Sequence, residues 1–277
     1  MPRHSLLFFL LLCSLVILAG CTGTPPGNPP AVSPSQVHTI PAEPVPTTMP
    51  TPVPTPAGPR TIAFAGHDWK VKTAPSPAGP GPNIFSDTSG NVWVDEQGRL
   101  HMKITRTGGR WECAEIISEE NFGYGEYAFT LASDPGILDK NVVLGLFTWD
   151  DDPAYHYREI DIEFSRWENE RNSNAQYVLQ PWDFPDHTYR FDLNAGENVT
   201  THTLRWEPGR IAFRSYYGPY SASPSSSDII RSWVYQGDDV PPPGNENARI
   251  NLWLVWGKPP SDGKETEVVV REFRFVP

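Results

Sequence analysis

The sequence predicts an all-β fold, a sandwich or a barrel, for the segment 61–277. Three observations carry that prediction. Runs of strand length recur along the segment, either alternating apolar with polar residues or wholly apolar. Gly, Pro, Asn and Asp separate them. No amphipathic helix of ordinary length interrupts them, and no internal repeat is visible. The length suits one sandwich and is enough to bury a large core.

The chain opens differently. Arg3 and His4 precede an apolar run from Leu6 to Leu18, the length of a signal-peptide core and short for a membrane span. The run ends in Leu18-Ala19-Gly20-Cys21, which resembles a lipoprotein processing box. Residues 1–20 are therefore expected to be a signal peptide, with Cys21 the lipidated residue that ties the protein to a membrane. Residues 21–60 are rich in Pro, Thr, Ala and Ser and carry only Glu43 and Arg60 as charged side chains. Such a composition cannot bury enough surface to offset chain entropy, so an extended tether is expected. Cys113 is the one cysteine left for the folded part, which excludes an internal disulfide, and its apolar neighbours mark it as a small buried residue.

Within the domain, Val92 to Asp95 and Arg99 to Ile104 alternate around Glu96-Gln97-Gly98, a hairpin. Tyr124 to Leu131 is a further strand. Val142 to Trp149 is nearly all apolar and predicts a strand buried on both faces. Later strands are expected at Ala175 to Gln180, Thr188 to Leu193, His202 to Trp206, Arg210 to Tyr216, Arg249 to Val255 and Glu267 to Val276.

One strand stands apart. In Arg158-Glu159-Ile160-Asp161-Ile162-Glu163-Phe164, acidic and apolar residues alternate strictly from Glu159 onward. On a strand, Glu159, Asp161 and Glu163 line one face, while Ile160, Ile162 and Phe164 line the other and meet a core. Neighbouring carboxylates repel, and Asp and Glu are poor strand residues. The face is either simply solvated or has a use for its acids. A retaining glycosidase needs two carboxyl groups about 5–5.5 Å apart. Cα atoms four positions apart on a strand are roughly 13 Å apart, a gap that two leaning Glu side chains can narrow. A carboxylate between them raises the acid's pKa.

Glu159-Ile160-Asp161-Ile162-Glu163 resembles the active-site signature of glycoside hydrolase family 16, the laminarinase, lichenase and xyloglucan-transglycosylase group, in its unbulged, lichenase-like form. The resemblance extends to Gly123 to Phe129, Leu144 to Trp149, Thr201 to Phe213 and Asn251 to Gly257, in the family's order. It implies a concanavalin A-like β-jelly roll of two curved antiparallel sheets, with the acidic strand in a cleft across the concave sheet. It assigns Glu159 as nucleophile, Asp161 as helper and Glu163 as acid/base. The chain departs from the family at Arg158, at Ser165-Arg166-Trp167-Glu168 and at Arg271. Arg271 stands where an Asp often helps to hold a structural calcium, so no metal and no cofactor is predicted.

Sugar rings stack on aromatic faces, and all ten Trp residues lie in the domain. Trp149, Tyr157, Trp167, Trp182 and Trp256 are the candidate platforms by their positions around the acidic strand, with Gln176 as a hydroxyl partner and Gln180 on the same face. Trp206 and Trp253, inside apolar runs, are assigned to the core. The formal charge of −11 argues against nucleic acid as a partner and is compatible with neutral polysaccharide. The expectation is a monomeric endo-β-glucanase acting on β-1,3- or mixed β-1,3/1,4-glucans. It would be exported, lipid-anchored at the cell envelope and facing outward. A transglycosylase of the same family and a lectin-like module that has lost catalysis are the alternatives.

Overall fold

A computed structural model describes residues 58–277 except Glu197. The expected signal peptide, Cys21 and all but the last residues of the tether lie outside the described residues. Arg60, the last residue of the expected tether, is tied to the domain: its guanidinium donates to the carbonyls of Asp87 and Val92, both at 2.9 Å.

The strands in chain order are β1 (Thr61–Phe64), β2 (His67–Val71), β3 (Ala74–Ala78), β4 (Asn83–Phe85), β5 (Val92–Val94) and β6 (Leu100–Thr107). There follow β7 (Arg110–Glu112), β8 (Ala114–Asn121), β9 (Gly125–Leu131), β10 (Val142–Trp149), β11 (Ile160–Phe164) and β12 (Ala175–Leu179). The last six are β13 (Thr188–Phe191), β14 (Thr200–Glu207), β15 (Arg210–Tyr217), β16 (Ile229–Gln236), β17 (Asn247–Leu254) and β18 (Thr266–Val276). Three short 3-10 turns are the only helical elements among the described residues.

Two eight-stranded sheets result. The first runs β1-β2-β8-β17-β10-β11-β12-β13; the second runs β16-β15-β14-β9-β18-β6-β5, with β7 added on β6. The named pairings within both sheets are antiparallel, as the jelly roll requires. Their inner faces meet in one core. Tyr177 stacks on Phe213 with centroids 4.9 Å apart, Phe164 meets His202 at 4.8 Å, and Trp69 meets Phe273 edge-on at 5.1 Å. The Tyr177 hydroxyl donates to Ser215 Oγ at 2.7 Å, which satisfies a buried polar atom between the layers. Burial pushes His202 down to about 3, so it is a neutral core residue.

The period-2 strands lie where their pattern put them, and β10 is buried along nearly its whole length. The strands that sequence reasoning missed are the first four, β7, β8 and β16. In β8 the reason is physical: its inward residues Ala114 and Ile116 alternate with Glu115 and Ile117, and Glu115 is itself buried. Cys113 is fully buried, as expected; its thiol donates to Asn83 Oδ1 at 3.4 Å.

Candidate active site

Alternation fixes the central strand. Ile160, Ile162 and Phe164 are fully buried in the core, which turns Asp161 and Glu163 of β11 to the outer face of the first sheet. Glu159 precedes the strand in extended conformation and faces the same way, toward the same cleft. The two glutamates are partly exposed, and Asp161 between them is 3% exposed.

Antiparallel register then builds a polar row across six strands. Arg190, Gln176, Glu163, Gly145, Asn251 and Glu115 stand successively opposite one another on β13, β12, β11, β10, β17 and β8. Directly opposite residues are near enough to touch. Arg190 Nε donates to Gln176 Oε1 at 3.0 Å, and Gln176 Nε2 donates to Glu163 Oε2 at 2.7 Å. A Cβ at position 145 would lie 2.5 Å from Asn251 Oδ1, so glycine there leaves room for the Asn251 side chain. In the next row, Asp161 stands opposite Phe147, and Phe147 opposite Arg249. Gln180 Nε2 donates to Asp161 Oδ2 at 3.2 Å. Arg249 is held by Glu115 at 3.4 Å and lies over the Trp149 ring, 5.4 Å from its centroid. Lys72 binds the other Glu115 oxygen at 2.7 Å.

The cleft has two lobes, about 250 and 430 Å³. Glu159, Glu163 and Trp253 line both, so the carboxyl groups sit at their junction. Lys72, Glu115, Trp149, Arg249 and Asn251 belong to the smaller lobe. Trp167, Gln176, Gln180, Trp182, Arg190 and Trp256 belong to the larger. Trp182 and Trp256 are 62% and 67% exposed, the condition for an aromatic face to receive a ligand.

Five of the six residues expected to meet substrate therefore line the cleft. Tyr157 does not: it stacks behind Trp149, with centroids 4.6 Å apart and planes 6° from parallel. Trp206 is core, as expected, but Trp253 is not; it is half-buried and forms floor in both lobes. Apolar flanks pointed to the core at Trp253, yet its period-2 relation to Asn251 already placed it on the outer face. Sequence reasoning missed Lys72, Glu115, Arg190 and Arg249, whose relation to the acids depends on strand order.

The turn leading into Glu159 is strained. His156, Tyr157 and Arg158 have φ of 49°, 61° and 50°, left-handed backbone that costs roughly 1–2 kcal/mol per non-glycine residue. Buried contacts hold it. Arg158 Nη1 binds Asp150 Oδ2 at 2.6 Å, Arg158 Nε donates to the Pro242 carbonyl at 2.9 Å, and Thr148 Oγ1 donates to the Arg158 carbonyl at 2.7 Å. A Cβ on Gly244 would lie 2.4 Å from the guanidinium carbon, so glycine is needed there for close approach. Arg158 thus serves the loop rather than the cleft.

The electrostatics follow from crowding. Burial, reinforced by the charge of Glu163 and opposed by Arg249, pushes Glu159 up to about 8. Burial pushes Glu163 up to about 7 against the Gln176 hydrogen bond and the Arg190 charge. Burial and the charges of both glutamates hold Asp161 well above the usual carboxylate range. Three acids so placed cannot all ionise together near neutral pH, so a carboxylic acid and a carboxylate coexist in the cleft.

No family model matches the sequence, and no curated protein matches it either. Solved structures do. A Bacillus licheniformis β-glucanase is 17% identical, with 80% of this chain and 100% of that one covered at a TM-score of 0.56. A laminarinase from Flavobacterium sp. UMI-01 is 11% identical over 76% of this chain and 93% of its own, at 0.57. An immunostimulatory antigen and pseudo β-1,3-glucanase of Mycobacterium tuberculosis is 19% identical over 75% and 90%, at 0.55. The chain therefore has the two-sheet fold of these β-glucanases and laminarinases.

Proposed function

We propose that the domain is a retaining endo-glycosidase that hydrolyses β-1,3- or mixed β-1,3/1,4-glucans. One observation carries the reading: three acids sit on one strand face, and the outer two, Glu159 and Glu163, stand at the junction of two lobes lined by tryptophans. A polymer lying through both lobes would place a glycosidic bond over the acids, as an endo-acting enzyme requires.

The proposed roles follow the order of the acids in the lichenase-like motif. Glu163 donates its proton to the leaving glycosidic oxygen while Glu159 attacks the anomeric carbon and forms a glycosyl-enzyme. Glu163, now a carboxylate, takes a proton from water, whose oxygen releases the sugar from Glu159. Burial raises both glutamates, to about 8 and about 7, so the pair retains a proton near neutral pH. The reacting form has the proton on Glu163 and Glu159 as the carboxylate, which positive charge developing at the anomeric carbon stabilises. Asp161 is buried between them and held well above the usual carboxylate range, which disfavours a third negative charge in the site. Arg249 and Arg190 flank the acids from opposite lobes and limit the rise of each pKa.

The test is reducing-end release from laminarin, lichenan, xyloglucan, agarose and carrageenan. Release from a β-1,3- or mixed-linkage glucan, abolished by Glu159→Gln, supports the reading. No release from any polymer, with retarded migration in a gel containing one, identifies a binding module instead. Growth of longer products from added oligosaccharide identifies a transglycosylase. The site of action is proposed to be the outer cell envelope, through lipid on Cys21; Cys21→Ala should then move the protein from the membrane fraction to the soluble one.

A further inference from the structure

His187 is 2% exposed, lies just before β13 and is absent from the cleft, yet its ring is bonded on both sides. Nδ1 is 3.1 Å from the Pro181 carbonyl oxygen, which can only accept, so Nδ1 carries hydrogen. Nε2 is 2.9 Å from Asp239 Oδ2 and 3.0 Å from the Tyr235 hydroxyl. That hydroxyl lies 2.8 Å from Asp239 Oδ1. Against the upward push of burial, the Tyr235 and His187 hydrogen bonds hold Asp239 below the usual carboxylate range. Nδ1 donates to Pro181, the Tyr235 hydroxyl donates to the Asp239 carboxylate, and Nε2 lies against both.

The bonds join two parts of the molecule. Tyr235 is on β16, the edge strand of the second sheet, and Asp239 follows it. Pro181 belongs to the connection between β12 and β13 that forms one wall of the larger lobe. Its neighbour Gln180 donates to Asp161 and accepts from the Trp182 amide at 3.0 Å. Thr188 Oγ1 donates to the Trp182 carbonyl at 2.8 Å. The Gln180–Trp182 arm therefore reaches the buried acid at one end and presents an exposed tryptophan at the other. Its middle carbonyl is bonded by His187 of the same connection, and the His187 ring is in turn held by Tyr235 and Asp239 from the second sheet.

We propose that His187 and Asp239 are positioning residues. Through the Pro181 carbonyl they hold the Gln180–Trp182 arm in register with the acids, so a bond at the back of the domain sets substrate binding in the larger lobe and the placement of Asp161. The functional part of this inference rests on the glycosidase reading; the grip on the arm does not. A displacement of about 1 Å in such a support can cost as much as a hundredfold in rate.

The test compares Asp239→Ala and Asp239→Asn with the wild type in the full chain. Asp239 is 49% exposed, so neither variant removes core. Amide hydrogen exchange is read first, over residues 179–187. Asp239→Ala should speed exchange there by about tenfold while the β11 amides keep their protection. Asp239→Asn, which retains an acceptor, should restore much of it. On the polymer the wild type cleaves, Asp239→Ala should raise KM by roughly tenfold and lower kcat by only a few-fold, with the asparagine variant between. Unchanged exchange in Asp239→Ala overturns the grip. Faster exchange with unaltered KM and kcat overturns the positioning role. A wild type that cleaves no polymer, with the exchange result as expected, sinks the glycosidase reading and leaves the grip standing.

Discussion

Arg158→Met tests how the strained turn before Glu159 is held. The guanidinium lies 2.6 Å from Asp150, with both side chains under 10% exposed. Against the upward push of burial, the Asn245 and Asp152 amides and the Arg158 charge hold Asp150 below the usual carboxylate range. Methionine keeps the aliphatic stem but leaves that carboxylate buried and unpaired. Removing one partner of a buried pair costs about 3–5 kcal/mol; this pair lies near the surface, so about 3 kcal/mol is expected. For a domain of this size each kcal/mol moves Tm by about 2–4 °C, giving a fall of roughly 6–12 °C by differential scanning calorimetry. Three left-handed residues store roughly 3–6 kcal/mol of strain, at 1–2 kcal/mol each. Without Arg158 they relax and carry Glu159 with them, so kcat should fall by about a hundredfold. The double variant Asp150→Asn/Arg158→Met separates the effects. It buries no lone charge and should recover most of the Tm, but the turn stays relaxed and kcat stays low. Wild-type kcat in the double variant, or a Tm loss under about 3 °C in Arg158→Met, would refute the reasoning.

Three further outcomes are expected. The folded-state pKa of Asp161 is raised, so its stabilising contribution is full below its unfolded value near 3.8 and is lost as pH rises through the folded value. Asp161→Asn mimics the protonated form, so its Tm advantage over wild type should grow between pH 5 and pH 9, read by thermal melts. Arg249→Met removes a charge that lowers the pKa of Glu159, and the acidic limb of kcat/KM should move up by roughly one pH unit, read from a pH–rate profile. Trp182→Ala and Trp256→Ala remove exposed rings, so Tm should hardly move while KM rises roughly tenfold, about 1.4 kcal/mol of lost binding.

The acids were legible in the sequence because a single strand carries them and its period is local. Ile160, Ile162 and Phe164 define the core face, and that alone turns Asp161 and Glu163 outward, with Glu159 continuing the line. The residues that control the acids were not legible, because control comes from register. Arg190 reaches Glu163 only through Gln176, and does so because β13 pairs with β12 and β12 with β11. Arg249 lies 90 residues from Glu159 in sequence and flanks it only because β17 inserts between β8 and β10. Trp253 shows the complementary error. Its neighbours Leu252 and Leu254 are buried, which makes a local window look like core, whereas the parity that puts them inside puts Trp253 outside. Parity is thus the firmer guide within a strand, and strand order is what one sequence withholds. His187 joins both lessons: a ring outside the cleft, between two sheet edges, becomes relevant to Asp161 through one carbonyl and one glutamine side chain, a connection that exists only once β13 and β16 are seen to lie side by side.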